Sequence, residues 1–119
     1  MTMETLAVNP NYRKKIVVAD DFYADPNSVR NFALECNFIE DIRWYKGHRS
    51  QQRYATQQVK EAFETLLGES ITSWDSSENG KFQYCTPEDL LVYHCDQQKW
   101  AGVLYLSPNA PFETGTNLY

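Results

Sequence analysis

Two stretches of the chain, 26–36 and 55–67, place apolar residues at the three- and four-residue intervals of an amphipathic helix. In the first stretch the apolar positions are Val29, Phe32, Ala33 and Cys36. Asp25 is a good N-cap and Pro26 suits the first helical position, so we expect the helix to begin there. In the second stretch the apolar positions are Val59, Ala62, Phe63, Leu66 and Leu67. Gly68 follows as a plausible left-handed residue beyond the helix end.

Short runs of β-branched and aromatic residues predict strands. The first run is 14–18, and 38–44 reads as a strand or an extended segment. Residues 45–50 read as a turn or loop, in which Gly47 permits unusual backbone angles. From Ile71 onward we expect short strands at a spacing of roughly ten residues. These strands are 71–74, 81–86, 90–96, 100–106 and a last one around Gly115 and Thr116.

Turn residues separate the predicted strands. The turn at 76–80 contains Asn79-Gly80, the strongest short hairpin signal, and 87–89 is a polar break before the next strand. Two helices followed by a run of strands indicate an α+β fold, with both helices covering one face of a jelly-roll-like antiparallel sheet. The 119 residues suit a single domain, in which residues 1–12 form a loose leader.

The composition limits which kinds of partner we expect the protein to bind and in which cellular compartment we expect it. The net charge of −5 disfavours binding to nucleic acid or to an anionic membrane, which both need basic patches. No apolar run approaches the roughly 20 residues of a membrane helix, and the N-terminus lacks the features of a signal peptide. The three cysteines, Cys36, Cys85 and Cys95, are odd in number and widely spaced. They indicate reduced thiols in a cytoplasmic protein rather than a disulfide framework or a zinc site.

The candidate chemistry lies in the predicted strand 90–96. His94 and Asp96 are two residues apart, so both side chains project from the same face of a strand while Cys95 projects from the other. An imidazole and a carboxylate on one face make two thirds of the facial triad that binds non-haem Fe(II). The alternative is structural, because a half-buried His paired with an Asp is an ordinary feature of folded proteins.

The order of motifs around this pair resembles a known family. H-x-D at 94–96 is followed by a predicted hairpin, by W-A-G-V-L-Y-L-S-P-N-A-P at 100–111 and by a Gly-Thr strand. This order resembles the Fe(II)/2-oxoglutarate-dependent dioxygenase superfamily, most of all small bacterial and phage proteins near its prolyl-hydroxylase-like branch. Residues 17–26 and 45–50 also look like the opening of that family, so the resemblance extends from about Ile16 to Tyr119.

The resemblance implies a double-stranded β-helix, with His94 and Asp96 as ligands of Fe(II) and with 2-oxoglutarate as cosubstrate. Tyr84, Tyr105 and Thr116 are candidates for lining the cosubstrate pocket; the alternative is that such residues simply fill a sandwich. The family also needs a second His downstream of H-x-D and an Arg or Lys beyond it. His94 is the last His and Arg53 the last Arg, so positions matching these two are absent.

We therefore expect the chain to carry an incomplete dioxygenase core, truncated at its C-terminus and inactive by itself. We expect His48, the other His, in a loop near the pocket mouth or in contact with solvent, and its position before the second helix disfavours it as the third ligand. Arg43, Arg49 and Arg53 are weak candidates for holding the cosubstrate. Open sheet edges predict a homo-oligomer. Two other functions stay open: a non-catalytic binding or structural jelly-roll module, and a cupin-like metal protein completed by a partner chain. The substrate is not readable from these residues.

Overall fold

The computed structural model describes residues 16–40, 47–89 and 98–115. Their elements are α1 (Pro26–Leu34), β1 (Phe38–Glu40), β2 (His48–Ser50), α2 (Gln57–Leu67) and β3 (Gln83–Tyr84), with a short 3₁₀ turn at Phe112–Thr114. The predicted α+β class is therefore confirmed. The double-stranded β-helix is not confirmed by these elements and stays a prediction.

Helix α1 begins where the sequence predicts. The Asp25 carboxylate accepts hydrogen bonds from the Ser28 amide at 3.2 Å and the Ser28 hydroxyl at 2.5 Å. Pro26 occupies the first turn, where its missing N–H has no helical partner to lose. The helix ends at Leu34, two residues before the end of the predicted stretch. Its one buried residue is Ala33.

Helix α2 also confirms its prediction. Thr56 is the N-cap, and its hydroxyl accepts a hydrogen bond from the Val59 amide at 3.2 Å. The helix therefore begins at Gln57, two residues later than predicted, because the cap residue itself is not helical. At the other end Gly68 takes a left-handed conformation, with φ of 71°, and its amide donates to the Glu64 carbonyl.

The three strands form an antiparallel sheet in the order β1-β2-β3. Phe38 pairs with Ser50, His48 pairs with Tyr84, and Arg49 lies between Ile39 and Gln83. Since side chains alternate along a strand, two faces result. One face carries Phe38, His48, Ser50 and Tyr84; the other carries Ile39, Arg49 and Gln83.

Several strand predictions are wrong in the part of the chain that the structure describes. Residues 16–18, 71–74 and 100–106 form no strand, and 48–50, predicted as loop, form the central strand. Ile16 and Val18 are 65% and 87% exposed, so their apolar pattern is not satisfied by packing. Between Ile71 and Gly115 the described residues contain β3 as their strand, rather than the predicted series. The predicted strand 90–96 lies outside the described residues, as does Thr116 of the last predicted strand.

The Asn79-Gly80 turn is present but does not close the predicted hairpin. Gly80 has φ of 80°, and its carbonyl accepts a hydrogen bond from the Tyr54 amide at 2.8 Å. The side-chain amide of Asn79 donates a hydrogen bond to the Trp74 carbonyl at 2.6 Å. This side-chain bond, and not backbone pairing between two strands, connects Trp74 to the turn. After the turn the chain continues into β3, which pairs with β2.

The two helices contact connecting segments of the chain through aromatic rings. Phe32 of α1 makes an edge contact with Tyr54, with ring centroids 5.1 Å apart, and a second contact with Phe82 at 6.1 Å. Phe63 of α2 packs on Phe22 at 4.9 Å and on Trp74 at 6.3 Å. These partners precede or follow the strands. These ring contacts therefore join the helices to connecting segments. They do not show the predicted arrangement, in which both helices cover one face of the sheet.

Among the described residues, no helix has both the length and the apolar character needed to cross a membrane.

Candidate functional site

The predicted metal ligands His94 and Asp96, with Cys95 between them, lie outside the described residues, as does Thr116. The metal-site prediction therefore stays a prediction. What the structure does describe are the two flanks of the ligand segment, which end at Asp89 on one side and begin at Gln98 on the other.

The upstream flank is a closed polar turn. The Asp89 carboxylate accepts a hydrogen bond from the Thr86 amide at 2.6 Å, and the Asp89 amide donates to the Thr86 carbonyl at 3.1 Å. This turn follows β3 directly and is the polar break that the sequence predicts at 87–89. The turn therefore lies between the end of β3 at Tyr84 and the start of the ligand segment after Asp89.

The downstream flank is held against α2. Oε1 of Glu69 lies 2.8 Å from the Lys99 Nζ atom and accepts a hydrogen bond from the Trp100 indole N–H at 3.2 Å. The sequence analysis did not identify Glu69. One sequence feature could have identified Glu69: it directly follows Gly68. A carboxylate in that place lies at the end of α2 and can reach a neighbouring segment.

Tyr84 and His48 lie together on one face of the sheet. Their rings stack with centroids 4.8 Å apart and planes 10° apart, and the Phe38 ring meets Tyr84 edge-on at 4.8 Å. The Nδ1 atom of His48 is buried. The prediction of His48 in a loop is therefore wrong, because antiparallel pairing on both sides places it in the central strand.

Tyr84 and Tyr105, the described candidates for the cosubstrate pocket, lie in different segments. Tyr84 is in β3 and 43% exposed, whereas Tyr105 is in the irregular segment 100–107 and 65% exposed. Tyr84 has a ring partner in His48, which agrees with a packing role. Their role toward a cosubstrate stays a prediction.

Two of the arginines considered for the cosubstrate already have structural partners. Arg49 donates to Glu78 at 2.8 Å and to the side chain of Gln83 at 2.9 Å, on the sheet face opposite His48. Lys81 lies 3.5 Å from the same Glu78 carboxylate. Arg53 donates from Nε to the Asn79 carbonyl at 2.9 Å. These contacts tie β2 and the turn before β3 together.

Two tyrosines, Tyr23 and Tyr54, have a raised pKa. Partial burial raises the pKa of Tyr23. A hydrogen bond with the Cys36 thiol, with Sγ and Oη 3.4 Å apart, raises the pKa of Tyr54. Within residues 16–40, 47–89 and 98–115, no three side chains of His, Cys, Asp or Glu are grouped so that they could hold a metal ion.

Comparisons of the chain with family models, with curated proteins and with solved structures give no match.

Proposed function

We propose that the chain is an Fe(II)/2-oxoglutarate-dependent oxygenase-like domain, in which His94 and Asp96 are two of the metal ligands. The observation that carries the proposal is the order of motifs in the sequence: H-x-D at 94–96, the block 100–111 and Gly115-Thr116. An imidazole nitrogen and a carboxylate oxygen fit the donor set of non-haem Fe(II). In the family, bound Fe(II) and 2-oxoglutarate together supply oxidation of a substrate by dioxygen. The described α+β architecture and the held flanks of the ligand segment are compatible with this proposal.

Two protein ligands make a weak site. Disturbing a residue that only supports a metal ligand weakens binding by roughly 10–100-fold, and lacking a ligand should weaken it further. We therefore propose that the 119-residue chain alone does not turn over 2-oxoglutarate. Oxygen- and iron-dependent formation of succinate by the isolated chain would contradict that part of the proposal.

Metal binding tests the proposal directly. Mn²⁺, a redox-stable substitute for Fe(II), is titrated into the chain with and without 2-oxoglutarate, and free Mn²⁺ is followed by its paramagnetic resonance signal. We expect binding that is lost in His94→Gln and in Asp96→Asn. Asp75→Asn is the matched control for the carboxylate, because Asp75 is exposed. His48→Gln is the control for the imidazole and should leave binding unchanged.

The same titration separates the alternatives. Absence of metal binding in the folded wild-type chain favours a non-catalytic binding or structural module. Binding that is indifferent to 2-oxoglutarate, and that appears only in an oligomer, favours a cupin-like metal protein completed by a partner chain. Loss of metal binding in a folded His48→Gln variant would identify His48 as the third ligand.

We also propose that the protein is cytoplasmic and self-associates. The support for the compartment comes from the sequence, in which three cysteines, odd in number and widely spaced, indicate reduced thiols. In the described sheet β1 and β3 each pair on one side, with β2. Their outer edges are the places where a second copy can add a strand.

A further inference from the structure

The Asn79-Gly80 turn is held in place by bonds to other segments of the chain. The Nδ2 atom of Asn79 donates a hydrogen bond to the Trp74 carbonyl at 2.6 Å. The backbone carbonyl of Asn79 accepts one from Nε of Arg53 at 2.9 Å, and the Gly80 carbonyl accepts one from the Tyr54 amide at 2.8 Å. The side-chain amide of Asn79 is therefore the group that connects the turn to Trp74.

The turn leads directly into the pairing of β3 with β2. Phe82, two residues beyond Gly80, donates from its amide to the Ser50 hydroxyl at 3.0 Å and accepts from the Ser50 amide at 2.8 Å. Strand β3 itself is two residues long, Gln83–Tyr84. Because so short a strand contributes little pairing of its own, the turn before it has a large share in holding β3 against β2.

The residues of this turn also have a characteristic reactivity. Asn79 is the one asparagine in the sequence that precedes a glycine. In such a pair the glycine nitrogen readily reaches the side-chain carbonyl carbon of the asparagine, because glycine has no Cβ to obstruct the approach. Gly80 is exposed, so water has access to the pair.

We infer that Asn79 is a deamidation site and that its reaction loosens the start of β3. The Gly80 nitrogen bonds to Cγ of Asn79, the bond from Cγ to Nδ2 breaks, and ammonia leaves with the proton of the Gly80 amide. Water then adds across one of the two carbon–nitrogen bonds that the imide ring can open. Cleavage at Cγ gives an aspartate at position 79. Cleavage at the backbone carbonyl carbon gives an isoaspartate, in which the main chain runs through Cγ.

Both products lack the donor that connects the turn to Trp74. A carboxylate has acceptor oxygens and no donor, so rotating it does not restore the bond to the Trp74 carbonyl. The isoaspartate also adds a carbon to the main chain, which changes the spacing between the contacts with Arg53 and Tyr54. We therefore expect the turn to open more readily after the reaction, and Phe82 to lose protection with it.

The first experiment tests the site. The full chain is incubated at mildly alkaline pH, and peptide mapping by mass spectrometry locates each asparagine that has become an acid. We expect Asn79 to react before Asn109, which is also in a turn and is exposed but precedes Ala110. The Cβ atom of that alanine hinders the attack that glycine permits. Conversion of Asn79 no faster than that of Asn109 would overturn the inference.

The second experiment tests the consequence for β3. Asn79→Asp reproduces one product, and we expect the Tyr54 and Phe82 amides to exchange with solvent about tenfold faster than in the wild type. The midpoint of urea denaturation should fall as well. Asn109→Asp is the matched control, because it adds the same charge to an exposed turn and should change neither measurement.

The incubated wild type gives the same measurement without a variant. Its deamidated fraction carries one more negative charge and is separated by anion exchange, so exchange at Tyr54 and Phe82 is measured even if Asn79→Asp does not fold. Wild-type exchange rates in that fraction would overturn the loosening of β3. Equal changes in Asn79→Asp and Asn109→Asp would overturn it too, because charge alone would then be the cause.

Discussion

At the scale of single residues, Ser50 is the most buried side chain that the structure describes, at 0% exposure. Its hydroxyl donates to the Gln52 carbonyl at 2.8 Å and accepts from the Phe82 amide at 3.0 Å. Its own amide donates to the Phe82 carbonyl at 2.8 Å. The hydroxyl and the amide of this one small residue therefore satisfy three backbone groups on two segments and join β2 to the chain entering β3.

We expect Ser50→Ala to lower the free energy of unfolding by about 1–3 kcal/mol, because the Gln52 carbonyl and the Phe82 amide lose their partly buried hydrogen-bond partner. Urea denaturation followed by circular dichroism measures the change. Ser73→Ala is the control: Ser73 is exposed, and its substitution should stay within about 0.5 kcal/mol of the wild type. Equal stability of the two variants would show that the Ser50 bonds contribute nothing net.

Asp25 gives a pH-dependent contribution to α1. Hydrogen bonds from the Ser28 hydroxyl and then from the Ser28 amide lower the pKa of its carboxyl in the folded chain. A lowered folded pKa means that the stabilisation is full above the pKa of the unfolded chain. It is lost as the pH falls through the folded pKa.

We therefore expect acidification below the usual range of aspartate to weaken the start of α1 in the wild type. In Asp25→Asn the cap does not titrate, so this part of the pH dependence should disappear. The Ser28 amide shift, followed by NMR during acid titration, reports the event. An identical titration of the Ser28 amide in both proteins would contradict the assignment.

At the scale of elements, two glycines with positive φ lie at element boundaries: Gly47 precedes β2 and Gly68 follows α2. Gly47, with φ of 87°, enters β2 so close to β3 that a Cβ there would collide with the Tyr84 carbonyl oxygen. Gly68, with φ of 71°, has nothing within 4 Å of the same position. Both need a left-handed backbone, but only Gly47 also needs the space.

We expect Gly68→Ala to lower the free energy of unfolding by about 1–2 kcal/mol, the cost of a left-handed residue that has a Cβ. Gly47→Ala should lower it by more than Gly68→Ala, because β2 and β3 must also separate to admit the methyl group. Parallel denaturation of the two variants makes the comparison, and equal losses would mean that the sheet yields at no cost.

At the scale of the whole molecule, the described residues expose several large apolar side chains. They include Phe32 and Leu34 of α1, Ile39 of β1, and Val103, Tyr105 and Phe112 toward the C-terminus. In the sheet that the structure describes, β1 pairs with β2 alone, and exposed apolar residues such as Ile39 on an edge strand favour pairing with another chain. This supports the self-association proposed above.

We expect the wild-type chain to sediment as a dimer or larger species that dissociates on dilution. Ile39→Lys places a charge on β1, which natural sheets use to block edge pairing, and should shift the protein toward monomer. Lys60→Arg, a charge-preserving change on α2, is the control. A monomer at all concentrations in analytical ultracentrifugation would contradict the proposal.

The sequence by itself determined both helices, the Asp25 N-cap of α1, the Gly68 cap that ends α2, the Asn79-Gly80 turn and the α+β class. The reason is that helix periodicity, Asp25, Gly68 and Asn-Gly act over three or four neighbouring residues. Only the tertiary structure decided which segments pair. The central strand, at 48–50, looked like a loop because its partners are Phe38–Glu40 and Gln83–Tyr84, distant in sequence. The candidate ligands followed from sequence order alone, whereas Glu69 became visible only when folding brought it to Lys99 and Trp100. Long-range pairing depends on which partner surfaces meet, and a local pattern of apolar and polar residues does not contain that information.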